Sequence, residues 1–166
     1  MTEHGCRTVL LVGATGRSGG AGNEDIVEDA VIGGRDVLAG FNVYPVEDTP
    51  YPFWVADARS IPAEDDFADF ALANAVIEHV GAEYDQMSMV SEMTRVARCW
   101  VITTPNRWFP VESHTSVLFR HWSLAWRAKQ TKFTRLLSRR EFAELLGPSA
   151  RIEGHWWSPT FTAYSA

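Results

Sequence analysis

Several features that mark common classes of protein are scarce or missing in these 166 residues. The two cysteines, Cys6 and Cys99, cannot form a disulfide framework, and neither has the CxxC or Cys/His spacing of a metal site. No apolar run approaches the ~20 residues of a membrane helix, and the N-terminus lacks the basic-then-apolar pattern of a signal peptide. We therefore expect a cytoplasmic protein with no bound metal and no membrane partner.

Positively charged residues are also few. The chain has 15 Lys and Arg against 21 Asp and Glu, for a net charge of −6. Proteins that bind the phosphate backbone of nucleic acids need clustered Lys and Arg, so we expect no nucleic-acid partner. Internal repeats and low-complexity tracts are absent, and 46% of the residues are hydrophobic. This composition predicts one globular domain covering residues 1–166.

The pattern along the chain is that of an α/β protein. Strands alternate with helices from residue 7 to residue 104, which implies a mostly parallel sheet with right-handed crossovers. Ser138 and Glu141 form a capping box at the start of a later helix. Arg151–Trp157 and Thr160–Tyr164 then predict a closing β-hairpin. The predicted strands are 7–12, 36–43, 53–56, 67–73 and 100–104, with helices near 23–32, 83–98 and 138–146.

The segment from residue 55 to residue 110 is the most informative part of the sequence. It reads VADARSIP, then DDFADFALANAVIEHVG, then EMTRVARCWVITTPN, with small polar residues at successive predicted strand ends. Open α/β sheets bind ligands at such strand ends. The segment resembles the second half of the nucleotide-binding core of class I S-adenosylmethionine-dependent methyltransferases, in particular the type 11 group. The resemblance implies a Rossmann-like methyltransferase domain whose final strand is antiparallel.

The resemblance also assigns residues to the cofactor, S-adenosylmethionine, and to its product S-adenosylhomocysteine. Asp57 is expected to accept a hydrogen bond from the adenine amine, and the backbone amide of Ala58 to reach the ring. Asn74 and Ala75 are expected beside the methionine part. Gly13 is expected to permit close backbone approach. Asp57 also fits an ordinary strand-end capping role, and Gly13 an ordinary turn.

The N-terminal motif departs from the methyltransferase pattern. Leu11-Val12 stand where an acidic residue is typical, and Thr15 and Arg17 stand where glycines are typical. Asn42 occupies the position of the acidic residue that accepts both ribose hydroxyls. A neutral amide can still hydrogen-bond a diol, but without charge assistance. We therefore assign Asn42 to the ribose and expect one of three outcomes: the cofactor binds more weakly, binds in a different way, or has been lost.

The same glycine loop resembles a second family. The run VLLVGATGRSG is similar to the opening of short-chain dehydrogenase-like NADP-binding proteins, in which the pyrophosphate rests on a helix N-terminus. In this chain the helix is predicted to begin at Asn23, and Glu24 and Asp25 in its first turn would repel phosphate. The Tyr-x-x-x-Lys pair of those dehydrogenases is also missing.

The segment 103–115, TTPNRWFPVESHT, resembles the part of natural-product and sugar methyltransferases that leads over the acceptor pocket. We predict His114, supported by Glu112, as the catalytic residue nearest the acceptor, with His79 as a rival that also fits a structural role. Arg107 can orient the acceptor, or it can pair with Glu112 in a rigid loop.

The sequence thus predicts methyl transfer to a small-molecule O or N acceptor, with a lid or substrate segment at about residues 107–135. Two alternatives stay open: a non-catalytic methyltransferase-like partner subunit, and an NADP-binding dehydrogenase-like protein. Six of the seven tryptophans fall at or after Trp100. They fit a core, a substrate pocket or a homodimer face.

Overall fold

The computed structural model describes residues 5–15, 30, 32–110 and 134–165. Within them, seven strands form one sheet in the order β3-β2-β1-β4-β5-β7-β6. The pairs among β1 to β5 are parallel, and β7 pairs antiparallel with both β5 and β6. The elements are β1 (Thr8–Val12), β2 (Asp36–Asn42), β3 (Phe53–Val55), β4 (Ala68–Asn74), α1 (Glu83–Val96), β5 (Ala97–Pro105), α2 (Arg139–Leu146), β6 (Ala150–Glu153) and β7 (Thr160–Ser165).

This architecture confirms the predicted fold class, a mostly parallel Rossmann-like sheet closed by an antiparallel hairpin. The largest differences from the predicted boundaries are at the junction of α1 with β5 and in the hairpin. The helix α1 ends at Val96 because β5 begins at Ala97, earlier than the predicted Trp100. The first hairpin strand ends at Glu153, and residues 154–159 form a loop.

The core lies on both faces of the sheet, as the alternation of β1 shows. Leu10 and Val12 join the larger cluster, which contains Met89 and Met93 of α1 and Phe142 of α2. Val9 and Leu11 point to the opposite face and join a smaller cluster. Successive side chains of a strand point to opposite faces, and a strand buried on both faces reads as a continuous apolar run. The run VLLV therefore belongs to a central strand.

The predicted capping box is present at the start of α2. The backbone amide of Glu141 donates to the Ser138 hydroxyl at 3.3 Å, and the Ser138 amide donates to the Glu141 carboxylate at 2.8 Å. Gly147 adopts φ +78° and ends the helix. None of the helices in the described ranges has the length and hydrophobicity of a membrane span.

Candidate active site

Four of the predicted cofactor residues lie along one edge of the sheet. Gly13 follows β1, Asn42 ends β2, Asp57 follows β3 and Asn74 ends β4. These four strands are parallel neighbours in the order β3-β2-β1-β4, so their carboxyl ends face the same way. The sheet therefore rearranges the four residues into the spatial order Asp57, Asn42, Gly13, Asn74. Open α/β sheets place ligands in the crevice outside these strand ends.

Gly13 is required by a close contact within the protein. Its φ is +77°, and its amide donates to the Phe41 carbonyl at 2.8 Å. A Cβ atom at this position would lie 2.4 Å from Cγ2 of Val76, far inside van der Waals contact. The glycine thus allows the segment after β4 to pack against the end of β1. Val76 was not singled out from the sequence, since no motif links it to Gly13.

Asn42 connects the end of β2 to the loop after β1. Its Nδ2 donates to the Ala14 carbonyl at 3.2 Å, and its Oδ1 accepts from the Val43 amide at 2.8 Å. The first of these bonds needs a donor, which a carboxylate cannot provide. Each amide atom retains capacity for a second hydrogen bond, so the side chain can also meet a ribose hydroxyl. The amide therefore has a structural reason to stand at this position.

Asp57 lies in a charged bridge between two elements. Its carboxylate accepts from the Arg59 side chain, with a shortest distance of 2.6 Å, and from the Arg59 amide at 2.9 Å. The other arm of Arg59 donates to Asp85 at 2.8 Å. Hydrogen bonds from the Arg59 side chain hold the pKa of Asp57 below its ordinary value. Asp57 is therefore an ionised acceptor whose oxygens already receive donors from Arg59, and Ala58 between them is buried.

The Asp-x-Arg spacing is the sequence signal for this bridge, although it did not predict Asp85. Asp85 is in the first turn of α1 and accepts the Ala82 amide at 2.8 Å, which fixes it near the start of the helix. The bridge therefore links the turn after β3 to α1. Both Asp57 and Arg59 remain partly exposed to solvent, at 38% and 44% of their side chains.

Asn74 and Ala75 form a constrained turn at the end of β4. Thr103 of β5 donates from its hydroxyl to Asn74 Oδ1 at 2.6 Å, and the Ala75 amide donates to the same hydroxyl at 3.0 Å. Ala75 adopts φ +54°, a left-handed conformation that costs a non-glycine residue about 1–2 kcal/mol. Strained backbone of this kind is concentrated at functional sites. Ala75 lies at the crevice end of β4, and its role next to the methionine part stays a prediction.

Glu78 and His79 follow in a 3-10 turn, Ile77–His79, but their surroundings differ. Glu78 is fully buried and accepts from the Thr104 hydroxyl at 3.2 Å. His79 is exposed, with its Nδ1 3.5 Å from the Thr134 hydroxyl. The glutamate is therefore part of the packing behind the crevice, whereas the histidine is open to solvent.

The described ends of the 107–135 segment are fixed to the body of the domain. Arg107 pairs with Glu141 of α2 at 2.7 Å, and Glu112, the partner considered from the sequence, lies outside the described residues. Arg135 donates from its backbone amide to the Glu78 carbonyl at 2.7 Å and from its guanidinium to Gln86. Glu112 and His114, the predicted catalytic pair, lie outside the described residues.

A scan against family models matches residues 39–99 to the methyltransferase domain of type 11. This interval contains Asn42, Asp57, Ala58, Asn74 and Ala75, and it ends within β5. A comparison with curated proteins returns no match. The family-model match therefore covers the central part of the chain, where the sequence resemblance is also strongest.

The fold is similar to many solved structures. A SAM-dependent methyltransferase from Methanosarcina mazei is 13% identical, with a TM-score of 0.59 over 95% of this chain and 90% of that chain. A Haloferax volcanii protein in complex with the Trm112 methyltransferase activator is 11% identical, with a TM-score of 0.61 over 96% of this chain and 82% of that chain.

A third similar structure is a Burkholderia thailandensis 1,6-didemethyltoxoflavin-N1-methyltransferase, which holds 1,6-didemethyltoxoflavin and S-adenosylhomocysteine. It is 13% identical, with a TM-score of 0.58 over 95% of this chain and 69% of that chain. At these identities the likeness establishes the fold. The family-model match over residues 39–99 and the order of strand ends agree with the resemblance of this chain to class I S-adenosylmethionine-dependent methyltransferases.

Proposed function

We propose that this protein transfers a methyl group from S-adenosylmethionine to an O or N atom of a small molecule. One observation carries the proposal: the strand order sets Asp57, Asn42, Gly13 and Asn74 side by side along the carboxyl edge. By the family resemblance, these residues meet adenine, ribose and methionine in that order. The residues thus follow the cofactor from one end to the other, although their order in the sequence is different.

Methyl transfer requires the protein mainly to align the acceptor atom with the methyl group of the cofactor. A lone pair of the acceptor forms a bond to the methyl carbon as the carbon–sulfur bond breaks, and the bonding pair stays on sulfur in S-adenosylhomocysteine. The enzyme contributes proximity and in-line geometry. The strained turn at Ala75, held by Thr103, supports a rigid wall for the methionine part.

A base is needed where the acceptor is a hydroxyl or a protonated amine, and we assign that role to His114, with Glu112 close to it in sequence. Its place in the chain supports this assignment, because residues following β5 leave the carboxyl edge where reacting ligands bind. His79 is the alternative base, being exposed on the turn after β4. The related fold that holds 1,6-didemethyltoxoflavin is consistent with a small-molecule acceptor.

Calorimetric titration with S-adenosylhomocysteine, S-adenosylmethionine and NADPH tests the cofactor assignment. We expect the first two to bind and NADPH to give no binding signal, because Glu24 and Asp25, at the predicted start of the helix after the glycine loop, would repel phosphate. Binding of NADPH alone would instead support the dehydrogenase-like alternative. Once an acceptor is found, His114→Ala and His114→Asn should reduce turnover while leaving cofactor affinity unchanged. Full turnover with a lowered melting temperature would leave His114 structural.

A non-catalytic partner subunit is the second candidate, and the polar contacts of the crevice favour it. Arg59 occupies the oxygens of Asp57, and Asn42 is bonded to Ala14, so two expected cofactor ligands are engaged within the protein. The related fold in complex with an activator protein is consistent with a partner. Absence of binding to S-adenosylhomocysteine and S-adenosylmethionine, in a protein that melts cooperatively, would support this candidate over the enzyme.

A further inference from the structure

Three solvent-exposed tryptophans, Trp108, Trp156 and Trp157, lie in the two loops that meet beyond the end of β5. Trp108 is 57% exposed, Trp156 74% and Trp157 56%. Tryptophan has the largest apolar surface of any side chain and is usually well buried. Exposed apolar groups gathered in one place mark binding surfaces. The exposure of these three rings in neighbouring loops therefore indicates a binding surface.

A single buried residue, Asn106, brings the two loops together. Its Nδ2 donates to the carbonyl of Trp156 at 2.7 Å and to that of Ser158 at 2.8 Å. Its Oδ1 accepts from the amide of Trp108 at 2.9 Å. Asn106 is only 3% exposed, so these bonds are shielded from water. The backbones of Trp108 and Trp156 are thus held at the two ends of one amide group.

The rings on the hairpin loop are also ordered relative to one another. His155 stacks on Trp157 with centroids 4.6 Å apart and an interplanar angle of 8°. Trp156 meets Trp157 edge-on at 5.3 Å and 90°. We call Trp108, His155, Trp156 and Trp157 the aromatic cluster. Offset-stacked and edge-to-face pairs at these distances are the favoured geometries of aromatic side chains.

The aromatic cluster lies at the same edge of the sheet as the cofactor crevice. Pro105 pairs with Thr160, which places the loop before β7 beside the end of β5. Along β5, Asn106 lies three residues beyond Thr103, the partner of Asn74, a distance of roughly 10 Å. A molecule of two or three fused rings spans such a distance. An acceptor stacked on the cluster can therefore extend toward the methionine end of the cofactor.

We propose that the aromatic cluster binds the planar aromatic part of the methyl acceptor, an inference that rests on the proposed methyl transfer. The exposed large apolar side chains of these two loops, within the described residues, are all tryptophan, with no exposed aliphatic side chain among them. The faces of these rings can stack on a planar π system. Their place at the carboxyl edge, beside the crevice, favours the methyl acceptor over a protein partner. Arg107, whose Cζ is 5.7 Å from the Trp108 ring centroid and which is held by Glu141, adds a cationic rim.

The test compares two ligands with the same bicyclic carbon skeleton and hydroxyl position, the planar aromatic 2-naphthol and the saturated, puckered decahydro-2-naphthol. Their binding is measured by ligand-observed NMR, with and without saturating S-adenosylhomocysteine. We expect 2-naphthol to bind the wild-type protein at least tenfold more tightly than the saturated ligand. Trp156→Leu and Trp157→Leu should each weaken 2-naphthol binding roughly tenfold, since each stacked ring contributes on that scale. Tyr84→Leu, at an exposed aromatic residue on α1, is the matched control and should not change it.

Three results would overturn the inference. The first is equal affinity for the two ligands or no binding of 2-naphthol, and the second is unchanged affinity in both tryptophan variants. The third is a wild-type dimer in analytical ultracentrifugation that becomes a monomer in Trp156→Leu, which would assign the aromatic cluster to a second copy of this chain. Calorimetry of each variant with S-adenosylhomocysteine separates these results from failure of the cofactor assignment, because the cluster variants are expected to keep wild-type cofactor affinity.

Discussion

The contact between Gly13 and Val76 gives a quantitative test of how the crevice is built. In Gly13→Ala, the left-handed backbone costs about 1–2 kcal/mol and forced overpacking against Val76 adds about 1–3 kcal/mol. We expect the free energy of unfolding to fall by about 2–5 kcal/mol. Val76→Ala removes two methyl groups from a half-buried side chain and should cost about 1 kcal/mol.

The double variant Gly13→Ala/Val76→Ala should be more stable than the sum of the single effects predicts. With both γ-methyl groups gone, the closest remaining Val76 atom is its Cβ at 3.4 Å, an ordinary contact. We expect a favourable coupling of about 1–3 kcal/mol, measured by urea denaturation of all four proteins. Gly34→Ala is the matched control, because Gly34 has φ +80° and nothing within 4 Å of the added Cβ. It should show the backbone cost alone.

Two outcomes would refute this reasoning. One is additivity of the two single variants to within about 0.5 kcal/mol, since that would mean that the side chains do not meet. The other is an equal loss of stability in Gly13→Ala and Gly34→Ala, which would leave only the backbone term. In that case the glycine after β1 would be an ordinary turn residue.

Three further predictions follow from the polar contacts of the domain. Asp57→Ala should weaken S-adenosylhomocysteine binding by about 1–3 kcal/mol. Arg59→Gln should tighten this binding, because it releases the Asp57 carboxylate from its ion pair. Unchanged affinity in both variants, measured by calorimetry, would place the adenine elsewhere. Asn42→Asp should tighten S-adenosylhomocysteine binding, because it places a charged acceptor at the ribose. The same change should lower the free energy of unfolding by about 1 kcal/mol, because the Ala14 carbonyl loses its hydrogen-bond donor. Weaker binding would contradict the ribose assignment. Burial opposes ionisation of Glu141, but hydrogen bonds from Ser138 and Arg107 lower its pKa to about 2. The ionised carboxylate therefore stabilises the folded protein. This contribution should be complete above pH 4.5 and disappear as the pH falls toward 2. Glu141→Gln should flatten that part of the stability–pH curve, measured by chemical denaturation. An unchanged curve would exclude the Glu141 carboxyl as a source of the pH dependence.

Much of the fold was predictable because its signals are local. The buried run before Gly13, the alternation of strands and helices and the Ser138–Glu141 capping box each depend on residues close in sequence. The strand-end residues Asp57 and Asn74 could be assigned for the same reason, since each directly follows or ends a predicted strand. What the sequence by itself determined was therefore the class of the fold and the family resemblance of residues 55–110.

The contacts of the crevice required the tertiary structure, because their partners are distant in sequence. Val76 lies against Gly13 only after β4 has paired with β1, and Asn42 reaches Ala14 only across the β1–β2 pair. A neutral amide at position 42 looked like a defect in the sequence, whereas the fold gives it a donor's role. Likewise, Trp108 and Trp156 are 48 positions apart, and the hydrogen bonds of Asn106 bring their backbones together. Sheet pairing decides such contacts, because it sets distances between residues that no local pattern relates.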